Sequence, residues 1–194
     1  PHGKGGNMTA ACTAALDGLP GGATVLLCDG DLAESAARLA PLVEAVESGP
    51  AHWRALEIRV LPGVTAMLAA AARAGAPLGH DFCAINLSDN LKPWTLIETR
   101  LRAALAGDFA IALYNPRSAA RPAGFGRALA ILREGAAPDR LITFARAVST
   151  PQESIRTVTL AEAQEDMADM HTLVIVGSST TRRVGPWVYT PRGV

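Results

Sequence analysis

Apolar and polar residues follow two different periods along this chain, and stretches of the two kinds alternate. Nearly continuous apolar runs of strand length occur at 23–28, 109–114 and 172–176, whereas apolar residues recur at helical spacing over 32–47, 93–106 and 125–133. Short continuous apolar runs are typical of strands that are buried on both faces of a parallel sheet. The alternation of strands and helices therefore predicts an α/β fold.

The same patterns predict the remaining elements and a division of the chain. Further helices are expected at 8–16 and 64–74, and further strands at 56–61, 82–87, 141–146 and 155–160. Small residues and proline dominate 75–79, which indicates a linker. We therefore expect two α/β domains, residues 1–79 and residues 80–194.

Three turns follow predicted strands directly and are candidate ligand sites. They lie at 29–31, 62–65 and 115–121, and the third contains Arg117 and Arg121. In an open α/β sheet, ligands bind beyond the carboxyl ends of the strands. An ordinary strand followed by a turn with solvated arginines would give the same pattern, because arginine is mostly exposed.

Composition limits the classes of partner. Hydrophobic residues make up 49% of the chain and charged residues 19%, with a formal net charge of zero, which is the profile of a globular protein without bulk attraction to nucleic acid or to a membrane surface. Sixteen of the eighteen basic residues are Arg. Arginine's planar fork suits carboxylates and phosphates, so a polyanionic small molecule is a possible partner, although genomic base composition also produces Arg-rich chains.

Cysteine and histidine give no sign of a metal site. Cys12, Cys28 and Cys83 are odd in number and lack metal-ligand spacing, and the four histidines are widely scattered. No apolar run approaches the roughly eighteen residues of a membrane helix. We therefore expect no metal, no membrane association and a cytoplasmic location.

The 177–181 turn offers a competing function. Gly-Ser-Ser-Thr-Thr follows a predicted strand, and a small hydroxyl-rich loop in that place could hold a phosphate. It lacks both the P-loop lysine and the G-x-G-x-x-G spacing. A nucleotide-dependent α/β protein and a plain turn both remain open on this evidence.

Several segments of the second half resemble a known family. They are G-H-D-F-C-A-I-N-L-S-D-N-L-K-P-W at 79–94, L-Y-N-P-R-S at 113–118, F-A-R-A at 144–147, M-A-D-M at 167–170 and T-L-V-I-V-G at 172–177. Together they resemble the precorrin-3B C17-methyltransferases of cobalamin biosynthesis, within the two-domain tetrapyrrole methylases. The resemblance runs from about Leu56 to the end of the chain.

What the resemblance implies is an S-adenosylmethionine-dependent methyltransferase whose cofactor cleft lies between the two domains. The family's P-G-[IV]-T-A element matches 62–66, and its S-G-D-P turn falls at 29–31. The expected cofactor-binding residues are Asp29, Gly30, Asp31, Pro62, Thr65, Ala66, Leu113, Tyr114, Asn115, Ala145 and Ala147. S-adenosylhomocysteine is the implied product of the cofactor, and the family implies a homodimer.

The implied substrate is a polycarboxylate tetrapyrrole, precorrin-3B, which is methylated at C17 with ring contraction. Arg117, Arg121 and Arg146 lie next to the family motifs and could bind its carboxylates, or could be solvated or paired within the protein. Ring contraction requires proton movement, for which His80 and Asp89 are candidates. Asp89 could instead cap the helix that begins near Pro93.

Two departures from the family pattern support an alternative. Leu32 stands where the family has proline after Gly-Asp, and the family's opening G-x-G-P-G-D loop has no counterpart here, so we expect an incomplete amino-terminal domain. The alternative function is a degenerate methylase homologue that binds tetrapyrrole or cofactor without turnover.

Overall fold

The computed structural model describes residues 16, 18–20, 23–28, 42–61, 63–90 and 92–193. The chain divides into two compact units, Pro1–Thr65 and Ala66–Val194, so the division comes earlier in the chain than residue 79. The predicted helix at 8–16, apart from Leu16, and most of the one at 32–47 lie outside the described residues.

The described part of the first unit contains a short parallel sheet and a small core. Strand β1 (Thr24–Cys28) pairs in parallel with β2 (Glu57–Leu61). Between them, residues 42–48 are helical and Ala51–Ala55 form a 3-10 helix. The buried side chains that hold these elements together are Leu16, Leu42, Val46, Trp53 and Leu56.

The second unit continues the alternation of strands and helices and ends in short strands. Its elements are α1 (Ala66–Ala74), β3 (Gly75–Ala76), β4 (Phe82–Asn86), α2 (Trp94–Ala106), β5 (Ala110–Tyr114), α3 (Gly124–Gly135), β6 (Leu141–Arg146), β7 (Ser154–Thr159), β8 (Thr172–Val176), β9 (Arg182–Val184) and β10 (Trp187–Tyr189). Within the described residues, no helix is long and apolar enough to cross a membrane.

Five of these strands form a mixed sheet in the order β4, β5, β8, β6, β7. Strands β4 and β5 are parallel, and β8 is antiparallel to both β5 and β6. It follows that β4, β5 and β6 run in the same direction. Their carboxyl ends therefore meet at one edge of the sheet, where such folds bind ligands.

Helices cover both faces of this sheet. Val174 and Val176 of β8 join a core formed with α2 and α3, whereas Leu173 and Ile175 pack with Ala70 and Ala71 of α1. Successive residues of a strand point to opposite faces, so α1 lies across the sheet from α2 and α3. Burial on both sides explains why β5 and β8 are almost wholly apolar.

The 75–79 segment, read from the sequence as a linker, is part of the second unit. Gly75 and Ala76 form β3, which pairs in parallel with β10. The Thr190 hydroxyl donates to the carbonyl oxygen of Pro77 at 2.6 Å. Gly75 has φ +130°, and a Cβ there would lie 2.5 Å from the Val188 carbonyl oxygen, so only glycine fits.

Candidate functional site

The carboxyl ends of β4, β5 and β6 form the candidate site. We call this region the carboxyl edge and define it by Asn86, Tyr114, Asn115, Arg146 and Ala147. Asn115 and Ala147, which directly follow β5 and β6, have left-handed backbones with φ of 50° and 47°. Such conformations cost non-glycine residues of order 1 kcal/mol and cluster at functional sites.

Tyr114 connects the start of α1 to the carboxyl edge. The Met67 N–H donates to the Tyr114 hydroxyl at 3.2 Å, so the first turn of α1 lies beside the end of β5. The neighbouring Ala66, predicted to contact cofactor, begins that helix, and Thr65 before it is buried. Ala66, Tyr114 and Asn115 are thus gathered in one region.

Two other predicted cofactor residues are inaccessible in this structure. Leu113 is 0% exposed and Ala145 is 1% exposed, because both lie inside strands that are covered on both faces. Four further predicted residues, Asp29, Gly30, Asp31 and Pro62, lie outside the described residues.

A pair of asparagines joins β4 to the end of β5. The Asn115 side-chain amide donates to Asn86 Oδ1 at 3.1 Å, and the Ser88 N–H donates to the same oxygen at 2.8 Å. Asn86 was not expected in the site. It lies in the 79–94 segment that carried the resemblance, but an asparagine at the end of a strand gives no signal of its own.

Arg146 is held by Asp169, a second residue that the sequence did not single out. Asp169 accepts hydrogen bonds from Arg146 Nε at 2.8 Å, the Thr172 hydroxyl at 2.7 Å and the His171 N–H at 2.9 Å. Partial burial alone would raise the pKa of Asp169, but the hydrogen bonds from Thr172, Arg146 and His171 outweigh it and lower the pKa. Asp169 is therefore ionised at neutral pH and orients Arg146.

Arg117 lines a cavity near the carboxyl edge. This cavity has a volume of about 340 Å³ and is bounded by 117–119, Pro122 and 168–171. Arg117 is half-buried, and within the described part of the chain its guanidinium forms no hydrogen bond or ion pair. A half-buried cation without an internal partner is suited to an anionic ligand.

Arg121 and Asp89 line a smaller cavity of about 190 Å³, together with Trp94 and Arg127. Arg121 Nε lies 4.0 Å from Asp89 Oδ1, and the Arg127 guanidinium stacks 4.1 Å from the centre of the Trp94 ring. Helix α2 begins after Pro93 without a side-chain hydrogen bond at its cap. Asp89 is therefore not a helix cap, and its charged neighbour is Arg121.

His80 lies away from the other candidate residues. It precedes β4 and lies at the amino end of the parallel strands, with its Nδ1 4.0 Å from Asp81 Oδ1. Since the other candidates lie at the carboxyl ends, the sheet separates His80 from them.

The 177–181 turn is not built to hold a phosphate. The N–H groups of Ser178 and Ser179 already donate to Thr181 Oγ1 and to Asp108 Oδ1, each at 2.8 Å. Partial burial would raise the pKa of Asp108, but hydrogen bonds from Ser179 and the charge of Arg140 lower it. A phosphate would therefore face an ionised carboxylate, which argues against the nucleotide interpretation.

No metal cluster is found within the described ranges: nowhere in them do three or more His, Cys, Asp or Glu side chains converge. The chemistry available at the carboxyl edge is that of hydrogen-bond donors, backbone groups and arginines. Such a set binds and orients a polar or anionic ligand, and it contains no nucleophile with an adjacent base.

Comparison with known sequences identifies the family of this chain. Residues 13–164 match the model of the Tetrapyrrole (Corrin/Porphyrin) Methylases. A precorrin-3B C(17)-methyltransferase of Sinorhizobium is 52% identical over 161 residues, covering 80% of this chain and 63% of that protein. A probable cobalt-factor III C(17)-methyltransferase of Salmonella typhimurium is 41% identical over 138 residues, covering 71% and 57%. The chain thus spans less than two thirds of the length of these relatives.

Solved structures of methyltransferases are also similar to this chain. The crystal structure of the methyltransferase CobJ is 64% identical, with a TM-score of 0.74, covering 79% of this chain and 64% of that one. A uroporphyrin-III C-methyl transferase of Thermus thermophilus, solved in complex with S-adenyl homocysteine, is 20% identical with a TM-score of 0.60, covering 90% and 73%, and shares the fold. The family match over most of the chain settles the classification: this chain belongs to the tetrapyrrole (corrin/porphyrin) methylases.

Proposed function

We propose that this chain belongs to an enzyme that transfers a methyl group from S-adenosylmethionine to C17 of precorrin-3B, with ring contraction, in cobalamin biosynthesis. The relative named for precorrin-3B is 52% identical, against 41% for the one named for cobalt-factor III, which favours the metal-free substrate. The observation that carries the proposal within the structure is Arg117, which is half-buried beside the carboxyl edge and has no partner among the described residues.

Methyl transfer requires little acid–base chemistry from the protein. The methyl group passes from a sulfonium to a nucleophilic ring carbon, and its transfer depends on the two centres being held in near-attack geometry. The left-handed Asn115 and Ala147 turn the chain sharply where β5 and β6 end. We assign Ala66, Tyr114, Asn115 and Ala147 to the cofactor. Thr65, Leu113, Ala145, Pro62 and Asp29 to Asp31 remain predictions from the family pattern.

The arginines are assigned to the substrate. Arg117 is available to a carboxylate of the macrocycle, because no described residue neutralises it. Arg146 donates to Asp169 through Nε, and no described residue bonds to its terminal nitrogens, which we assign to a ligand. Arg121 shares its charge with Asp89 and contributes less.

Proton transfer in the ring contraction is assigned to Asp89 rather than His80. Asp89 lines the smaller cavity on the side of the carboxyl edge, and its side chain is accessible to solvent. His80 lies at the opposite edge of the sheet. We therefore retain Asp89 and set His80 aside.

The proposal is tested in two steps. First, S-adenosylhomocysteine is titrated into the chain by calorimetry, and binding is expected. Second, transfer of a radiolabelled methyl group from S-adenosylmethionine to precorrin-3B is measured, and turnover is expected. Binding without turnover would favour the degenerate homologue, and absence of both would contradict the proposal.

Arg117→Gln tests the substrate assignment. We expect the KM for the tetrapyrrole to rise by roughly 10-fold, the value of one charge-assisted carboxylate contact, while cofactor affinity stays unchanged. Arg100→Gln is the matched control, because Arg100 is exposed on α2 and lines neither cavity. Equal KM values for the two variants would contradict the assignment of Arg117 to the substrate.

A homodimer and a cytoplasmic location complete the proposal. Both derive from the family resemblance and from the sequence composition. Sedimentation equilibrium measures the dimer directly, and a mass corresponding to one chain would contradict it.

A further inference from the structure

The Asn86 carboxamide has an orientation that a single backbone group determines. Asn86 ends β4, beside Tyr114 in the strand register. The Ser88 N–H can only donate, so the Asn86 atom 2.8 Å from it must be the oxygen. The Asn115 atom 3.1 Å from that oxygen must in turn be the nitrogen. Both side chains are thereby fixed.

This network leaves two polar atoms without partners among the described residues. No described residue bonds to the Asn86 side-chain nitrogen or to the Asn115 side-chain oxygen. Asn86 and Asn115 are both only partly buried. The carboxyl edge therefore presents a fixed acceptor on Asn115.

Asn115 has a left-handed backbone, which asparagine adopts more readily than most other non-glycine residues. Its φ is 50°, and Pro116, which has no N–H, follows it. Within the described residues, the hydrogen bond to Asn86 is the contact that holds its side chain. Without that bond the Asn115 carboxamide could take other rotamers and turn its oxygen away from the edge.

We propose that Asn86 is a positioning residue for cofactor binding, acting through Asn115. Its Oδ1 holds the Asn115 carboxamide so that the Asn115 oxygen accepts a hydrogen bond from an N–H or O–H of S-adenosylmethionine. The inference rests on the proposed function, and it adds a residue that touches neither the sulfonium nor the substrate.

A set of variants separates positioning from simple structural support. Asn86→Ala removes the acceptor and is expected to raise the Kd of S-adenosylhomocysteine roughly 10-fold, the effect of one hydrogen bond. Asn86→Asp keeps an oxygen facing both donors and is expected to bind within about 3-fold of the unaltered chain. If Asn86→Ala fails to fold, Asn86→Val carries the same expectation.

The decisive measurement is a double-mutant cycle with Asn115→Ala. If Asn86 acts through Asn115, the double variant binds no more weakly than Asn115→Ala alone. Additive losses, an unchanged Kd for Asn86→Ala, or a loss in Asn86→Asp equal to that in Asn86→Ala would each overturn the inference. Absence of binding by the unaltered chain would overturn the proposed function together with it.

Discussion

Replacing Asp169 with Asn removes one of the three hydrogen bonds that Asp169 accepts. The amide oxygen of Asn can still accept from Thr172 and from the His171 N–H, which both contact Oδ1. The other side-chain atom becomes an NH₂ group that faces Arg146 Nε, where Oδ2 now lies at 2.8 Å. The substitution therefore isolates the charged contact between Asp169 and Arg146.

The size of the effect follows from exposure. Hydrogen bonds between charged groups contribute roughly 1.5–3 kcal/mol when shielded, whereas exposed ion pairs contribute about 0.2–1 kcal/mol. Both side chains are 44% exposed, so solvent screens the pair. We expect Asp169→Asn to lower the free energy of unfolding by about 1 kcal/mol at pH 7, a shift of about 0.5 M in a urea midpoint.

The effect has a definite pH dependence. The pKa of Asp169 is lowered in the folded protein, so its stabilisation is complete above the ordinary aspartate pKa of about 3.9 and is lost as the pH falls through the lower, folded value. Urea unfolding is followed by circular dichroism between about pH 7 and pH 2.5. The difference in urea midpoint between the unaltered chain and Asp169→Asn should become smaller only below about pH 4.

Asp166→Asn is the control for this prediction. Asp166 is exposed and lies in the short 3-10 helix Glu165–Met167, and its substitution should leave the urea midpoint unchanged. The urea midpoints of the unaltered chain and Asp169→Asn could instead differ by the same amount at every pH. That result would refute the reasoning, because the loss of an uncharged contact would then account for the difference.

Two further predictions concern backbone positions. Gly75→Ala should lower the free energy of unfolding, measured by thermal unfolding, by at least about 1 kcal/mol, because its Cβ would meet the Val188 carbonyl oxygen. Gly193→Ala is the control and should have no effect, because a Cβ there would have nothing within 4 Å. Ala147→Gly should raise the free energy of unfolding by up to about 1 kcal/mol, because φ 47° strains alanine. A destabilised Ala147→Gly would mean that the left-handed backbone carries no strain.

The long elements of the second unit were predictable because their patterns are strong. Strands β5, β6 and β8 and helices α2 and α3 were predicted to within two residues at each end. Their apolar runs reflect burial on both faces of the sheet, so the tertiary environment is visible in the local sequence pattern. Strand β3 could not be predicted in this way, because the two small residues at 75–76 show no periodicity. They form a strand only because they pair with β10, which is far away in sequence.

The place of the candidate site in the fold could be predicted from the sequence, whereas the roles of its residues stay predictions. The turns after β5 and β6 could be located because strand ends in an α/β fold are places where ligands bind. Asp169 and Asn86 could not be predicted as site residues, since their hydrogen-bond partners come close to them only in the folded protein. His80 precedes the predicted strand at 82–87, so its position at the amino edge of the sheet could also be predicted from the sequence.

The position of β8 has a consequence for synthesis of the protein on the ribosome. Strands β5 and β6 do not pair with each other, and β8 at 172–176 bridges them. Until those residues emerge, the strands of this five-stranded sheet can form only a β4–β5 ladder and a β6–β7 ladder, each with an open apolar edge. The sheet must therefore close late, and a stall before residue 172 would leave two edges available for misassembly.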